Sequence, residues 1–311
     1  MKVGVIDLGS NSIRLVIYSW NGKKLVKEEN YKRQAQSVKY VEDGMMNKIG
    51  VANIVSTLKE LLTIAKANEV YEVRIFATAS LRNIKNSEEV KAYIENTIHH
   101  KIDLLKGNEE SLFGFEGMKQ KLDLPANGVS VDVGGASSEI TYFEEGKAIH
   151  TISIPIGSLN LYLSHVTDVL PNVNEIRSMR FEIDNYLQEI EWLSNLEVNK
   201  MIGIGGSARA IMRLHRAKND IDSSIYDMSM EQTVINSYIE ECMNRYDKLA
   251  KIIVNHIPER LTTLIPGTLI LDEVMKKVNA KTYLLSPYGV REGYFYKKIL
   301  KKGKNDQLNE S

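Results

Sequence analysis

The sequence predicts an α/β protein of two similar domains, each a mixed sheet flanked by helices. Three observations carry this. The 311 residues suit two domains at roughly 100–200 residues each. Strand-like and helix-like periodicities alternate along the chain. An apolar run ending in Asp-x-Gly and a small-residue loop occurs twice, at Asp7 in DLGSNS and 125 residues later at Asp132 in DVGGASSE.

Residues 2–7 are a short apolar run and residues 12–20 alternate in strand fashion. Asn21-Gly22 is a hairpin signal, so residues 23–31 are expected to return as a third strand. Val51, Ile54, Leu58, Leu61 and Ala65 recur at helical spacing, which marks an amphipathic helix. Met45 and Met46 read as packing at its entry. Residues 72–78 read as a strand, Asn86 or Ser87 as the cap of a helix reaching His99, 101–105 as a strand, and Asn108 as the start of another helix.

From residue 128 the pattern begins again with three strands, at about 128–133, 139–143 and 147–154. Ile176, Met179, Ile183, Leu187, Ile190 and Leu193 give one buried helical stripe; Ile235, Ile239, Cys242, Tyr246, Leu249 and Ile253 give another. Between them MIGIGGSARAI reads as strand, glycine turn, helix. Pro125 to Gly128 is rich in turn formers. The expected division is therefore residues 1–126 and 127–300, with a last helix at about 290–302 packing back on the first domain and a frayed tail at 301–311.

Composition narrows the function. Hydrophobic residues make up 43% and charged residues 26%, ordinary for a soluble globular chain. Lys plus Arg equals Asp plus Glu at 40 each; a nucleic-acid binder usually carries excess base, so no nucleic-acid partner is expected. The single cysteine, Cys242, excludes an internal disulfide and reads as a core thiol. No signal peptide or membrane span is read, and the expected location is the cytoplasm.

The repeated loops carry chemistry. A small-residue turn lets backbone N–H groups converge on an anion. Gly9, Ser10, Asn11 and Ser12 offer this in the first loop, and Gly134, Gly135 and Ser137 in the second. Asp7 and Asp132, at strand ends, suit Mg²⁺, which takes a few carboxylates plus phosphate oxygens. A third turn, Gly205, Gly206 and Ser207, opens a helix whose N-terminus attracts anions. Arg209, Arg213 and Arg216 follow on one face of that helix, either holding a phosphate chain or simply solvated. No P-loop is present, and the glycine turn lies too late in the chain for a dinucleotide fingerprint.

The segments DLGSNSIRL, ATASLR, GNEES, VDVGGASSE, IGGSARA, IPG and YGVREG, in this order, resemble the exopolyphosphatase/guanosine pentaphosphate phosphohydrolase (Ppx/GppA) family over almost the whole chain. The resemblance implies two ribonuclease H-like domains of the actin-like ATPase superfamily with an active site between them. It implies Mg²⁺, with Mn²⁺ as an alternative, held by Asp7, Asp132 and Glu139. Glu110 is implied as the general base, with Glu109 as the neighbouring alternative. Arg14 and Arg82 are implied as phosphate contacts, and Asn11, Gly134 and Ser137 as lining residues. A homodimer and a place in the stringent response are further implications.

Family members often continue Glu-Glu-Ala-Arg where this chain has Glu110-Ser111-Leu112, which removes one arginine. Longer relatives carry an additional helical region, so short polyphosphate is the expected substrate. Guanosine pentaphosphate (pppGpp), a small-molecule kinase reaction, and non-hydrolysing sensing of polyphosphate or alarmone are the alternatives.

Overall fold

The computed structural model describes residues 1–244 and 246–300. The chain forms two compact units, Met1–Gly107 and a second from Asn108 onward. Contacts thus divide it at Gly107, ahead of the turn-rich 125–128 stretch.

The first unit runs β1 (Lys2–Leu8), β2 (Ser12–Trp20), β3 (Leu25–Gln34), β4 (Val41–Glu42), β5 (Met45–Met46), α1 (Lys48–Ala67), β6 (Glu72–Ala77), α2 (Ala79–Arg82), α3 (Ser87–Ile98) and β7 (Ile102–Leu104). Its five-stranded sheet has the order β3-β2-β1-β6-β7. The first three strands are an antiparallel meander, while β6 and β7 run parallel to β1. Ile54, Leu58, Leu61 and Ala65 of α1 are buried against this sheet, as their spacing predicts. Asn47 caps α1 by accepting the Gly50 N–H at 3.0 Å.

Met45 and Met46 form one strand of the small β4–β5 hairpin, and Met46 is buried against Gly50 at the entry of α1, as expected. One local expectation changes. Asn86 is the N-cap residue of α3, but its side chain makes no cap bond. It clamps Met46 instead, accepting its N–H and donating to its carbonyl, each at 3.0 Å.

The second unit runs α4 (Gly107–Met118), β8 (Asn127–Val133), β9 (Ser138–Glu144), β10 (Lys147–Ile154), α5 (Ser158–His165), α6 (Val173–Gln188), α7 (Glu191–Ser194), β11 (Lys200–Ile204), α8 (Gly205–Lys218), β12 (Ser229–Glu231), α9 (Gln232–Asn244), α10 (Tyr246–His256), α11 (Leu264–Lys277), β13 (Thr282–Leu285) and α12 (Val290–Tyr294). Its sheet order is β10-β9-β8-β11-β13-β12. An antiparallel meander again precedes parallel strands, β11 beside β8 and β13 beside β11, with β12 as an antiparallel edge. The duplication read from the two loops is therefore a duplication of sheet plan.

The stripe from Ile176 to Leu193 belongs to two helices, because α6 stops at Gln188 and Ile190 is extended before α7. Its apolar residues still face one core. The stripe from Ile235 to Ile253 is divided between α9 and α10, on either side of residue 245. Cys242 is buried there, and burial pushes its thiol up to about 12. The last helix begins at Val290 as expected, continues as a π-type turn over Phe295–Ile299, and groups with the second unit. The expected tail at 301–311 lies outside the described residues.

Helices α4 and α12 cross at backbone contact. A Cβ on Gly293 would sit 1.8 Å from the Phe113 carbonyl oxygen, and one on Gly117 would sit 2.1 Å from that of Gly289. Phe113 and Tyr294 meet edge-to-face at 5.9 Å beside this crossing. The YGVREG motif thus seats α4, the helix that carries Glu110. Among the described residues no helix is long and apolar enough to cross a membrane.

Candidate functional site

The two Asp-x-Gly hairpins close in the same way. The Gly9 N–H donates to the Ser12 carbonyl at 3.2 Å, and the Gly134 N–H donates to the Ser137 carbonyl at 2.9 Å. The closure fixes which residues face each other across each ladder. In the first unit Asp7 lies opposite Arg14. In the second, Asp132 lies opposite Glu139. Directly opposed residues have Cβ atoms roughly 4.5–5.5 Å apart, where opposite charges attract and like charges repel. The first hairpin therefore sets a carboxylate opposite a guanidinium. The second presents two carboxylates.

In the first unit, the Asn11 side-chain oxygen is buried without a hydrogen-bond partner, while its main-chain carbonyl accepts from Ala35 and Gln36. An amide can be turned by 180° on the same electron count, which would place a buried NH₂ donor on the loop. Ser10 is buried, and its carbonyl accepts the Ser37 hydroxyl at 3.1 Å. Ser80 ties the Leu8 carbonyl to α2. Arg14 reaches Asn30 at 3.3 Å, and Arg82 donates to the Leu105 carbonyl at 3.0 Å. Both arginines are half-buried.

In the second unit, Glu139 is 4% exposed. Its Oε1 accepts the hydroxyls of Ser137 at 2.8 Å and Ser153 at 2.7 Å. Next to Ser153, the Ile152 carbonyl accepts the Ser111 hydroxyl at 3.2 Å, which lays the start of α4 along β10. Glu110 precedes Ser111 and is 7% exposed. Glu109 is half-exposed and stands 3.6 Å from the Lys298 ammonium. The two glutamates are thus separated by environment: Glu109 is a surface ion pair, and Glu110 is the buried acid. Leu112, at the position where the resembled family carries arginine, is 39% exposed.

The carbonyls of Gly134 and Gly135 accept N–H groups from Ser158, Leu159 and Asn160 at 2.9–3.0 Å. The start of α5 is thereby tied to the carbonyl side of the loop.

The third turn is built around Asp132. Gly205 has φ +83°, and a Cβ there would lie 2.1 Å from Asp132 Oδ1; only glycine meets both demands. A Cβ on Gly206 would lie 2.0 Å from a guanidinium nitrogen of Arg260. Ser207, read from sequence as a ligand contact, spends its hydroxyl on the Val133 carbonyl at 3.0 Å. It anchors the start of α8 to the end of β8.

Arg260 is a candidate residue that the sequence reading did not single out. It ends a short 3₁₀ turn, Pro258–Arg260, and approaches the start of α8 from outside its helical stripe. Burial, then the nearby charge of Arg209, draws its guanidinium down to about 10, so it stays cationic at neutral pH. Asp132 and Glu259 act in the opposite direction. Among the described residues, neither the Arg209 nor the Arg260 side chain has a hydrogen-bond or ion-pair partner within the protein. The expected Arg209–Arg213–Arg216 stripe therefore splits. Arg213 pairs with Glu259 at 2.6 Å, Arg216 is exposed, and Arg209 joins Arg260. The only hint in the sequence was the nearby IPG segment, Ile265 to Gly267, where Gly267 packs on Ser207 and Ser158.

Among the described residues no cluster of three or more His, Cys, Asp or Glu side chains closes on a metal. Asp132 and Glu139 nevertheless fit Mg²⁺, because this ion takes one or two carboxylates and completes its shell with water and phosphate. The opposed carboxylates favour a cation and the arginine pair favours an anion.

The model of the Ppx/GppA phosphatase family matches residues 16–302. Exopolyphosphatase 1 of Mycobacterium leprae is 22% identical over 305 residues, covering 96% of this chain and 90% of that one. A guanosine-5'-triphosphate,3'-diphosphate pyrophosphatase of Pseudoalteromonas atlantica is 23% identical over 315 residues, covering 97% of this chain and 59% of that longer one. The crystal structure of an exopolyphosphatase from Cytophaga hutchinsonii superposes with a TM-score of 0.84 at 18% identity, covering 95% and 97% of the two chains. The Aquifex aeolicus PPX-GPPA enzyme gives 0.76 at 21% identity, covering 95% and 98%. The two-sheet architecture is the actin-like ATPase fold of these structures.

Proposed function

Because the chain belongs to the Ppx/GppA phosphatase family, a family of phosphoanhydride hydrolases by the names of its relatives, we propose that it releases the terminal phosphate of inorganic polyphosphate with Mg²⁺. The observation that carries this reading is the pairing of two opposed carboxylates, Asp132 and Glu139, with two cations that have no acceptor among the described residues, Arg209 and Arg260. A metal-bound polyanion satisfies both at once. Neither a simple cation nor a neutral metabolite does.

In the proposed reaction a water oxygen attacks the terminal phosphorus in line while Glu110 accepts the water's proton. The bridging P–O bond breaks toward the remaining chain, giving inorganic phosphate and a polymer one unit shorter. Such transfers depend on positioning and charge stabilisation. In the second unit Arg209 and Arg260 would bind phosphoryl oxygens and the Gly134–Ser137 loop would offer N–H donors; for the first unit the resemblance implies Arg14, Arg82 and Asn11 as phosphate contacts. Asp132 and Glu139 would hold Mg²⁺, with Asp7 as the further ligand that the resemblance implies; the ion when bound would neutralise phosphate charge. Glu110 suits the base role because it is the buried acid of the pair.

Guanosine pentaphosphate presents the same reacting group and is the second reading, favoured by the pyrophosphatase relatives. Parallel assays of phosphate release from short polyphosphate, long polyphosphate and guanosine pentaphosphate separate the two by rank. Tight binding of any of them without phosphate release would instead identify a sensor.

A further inference from the structure

Tyr283 of β13 is fully buried, and its hydroxyl has no hydrogen-bond partner among the described residues. Its ring lies over Gly203 of the neighbouring strand β11: a Cβ on Gly203 would fall 2.0 Å from the hydroxyl oxygen and 2.6 Å from the carbon bearing it. By register Tyr283 pairs with Met201, two residues before Gly203. The side chain therefore leans along the sheet toward the carboxyl ends of the strands. The missing side chain at Gly203 is what opens this path. Two residues further on, Gly205 packs against Asp132 Oδ1. Asp132 and Arg209 are the charges nearest the hydroxyl in effect; burial above all, and Asp132 in addition, raise its pKa.

A buried hydroxyl left without a partner is costly, and natural proteins commonly satisfy one through an ordered water. We infer that Tyr283 is a positioning residue, whose hydroxyl holds the Asp132 carboxylate through one buried water. The water accepts the phenolic O–H and donates to the carboxylate. This rests on the reading of Asp132 as a ligand-facing carboxylate. Groups that orient a metal-binding carboxylate typically matter about 10- to 100-fold.

The test uses the full chain as wild type, Tyr283→Phe, Asp132→Asn and the double variant. Phenylalanine keeps the ring over Gly203 and removes only the unpartnered oxygen. In Mg²⁺-dependent phosphate release from polyphosphate, Tyr283→Phe is expected to lower kcat about tenfold with KM unchanged, and to have no further effect in the Asp132→Asn background. A wild-type kcat in Tyr283→Phe, or an equal loss in both backgrounds, would overturn the inference. A crystal structure of the wild type is expected to show one water within hydrogen-bond distance of both groups. Direct contact, or a gap without shared water, would overturn it independently of turnover. If the wild type releases no phosphate, the proposed function fails while the crystal structure still decides the role of Tyr283.

Discussion

Asp132 and Glu139 face each other across the β8–β9 ladder, at the position where the corresponding hairpin of the first unit sets Asp7 against Arg14. One duplicated hairpin thus sets an acid opposite a base and the other an acid opposite an acid. Like charges directly opposed are destabilising, and a bound cation reverses that penalty. Glu139→Gln is expected to be as stable as the wild type or slightly more so without metal. It is also expected to lose most of the rise in melting temperature that Mg²⁺ gives the wild type. Thermal melts with and without Mg²⁺ check both outcomes.

Glu110 and Glu109 are adjacent yet differ in surroundings. Glu110→Gln is expected to lower kcat by about 10²–10⁴, the usual worth of a general base, with polyphosphate binding retained. Glu109→Gln removes a partly exposed pair with Lys298, worth about 1 kcal/mol or less, and is expected to leave turnover near wild type. Steady-state kinetics beside equilibrium binding distinguish the two.

Arg260 and Arg209 are expected to accept inorganic phosphate. A ligand that binds only the folded state stabilises it by mass action. Phosphate should therefore raise the melting temperature of the wild type, and Arg260→Ala should lose most of that shift while raising KM for polyphosphate. An undiminished shift in Arg260→Ala would remove this residue from the site.

Gly293 has no room for a side chain against the Phe113 carbonyl. Gly293→Ala is expected to cost about 1–3 kcal/mol, typical of overpacking, and to lower turnover by displacing α4. Urea unfolding gives the first quantity and kcat the second.

The first unit contains an acid-sensitive carboxylate. Burial pushes the Glu95 carboxyl up, but the Ile102 N–H and the ammonium groups of Lys101 and Lys91 together outweigh it and hold the group below 4.5. The folded pKa lies below the unfolded one, so its contribution to stability is complete above about pH 4.5 and fades as pH falls through the folded value. Glu95→Gln should flatten the acid limb of stability against pH while leaving its shape near neutrality.

Most of the architecture was legible because local pattern and tertiary need agree. The two Asp-x-Gly loops, the α1 stripe and the strand-turn-helix at Gly205 all form where periodicity places them. The single stripe from Ile176 to Leu193 misled because a helix can end and restart with its apolar residues still facing one core. Asp132 and Glu139 were each legible as candidates, but their opposition is a matter of ladder register, which becomes explicit only when the hairpin closes. Arg260 was invisible for a different reason. It lies in a short turn with no periodicity, and its meaning comes from a tertiary approach to Gly206. The Ser207 hydroxyl could serve a ligand or a carbonyl, and sequence does not distinguish the two; the fold gives it to Val133.

The most direct test of the central claim is to follow polyphosphate of defined length over time with Mg²⁺, measuring released phosphate and the length of the remaining chain together. The account predicts that inorganic phosphate is the early product, that chains shorten one unit at a time from their ends, and that chelating the metal stops both. Internal cleavage into mid-length fragments, or no phosphate from polyphosphate or guanosine pentaphosphate at any Mg²⁺ concentration, would contradict it.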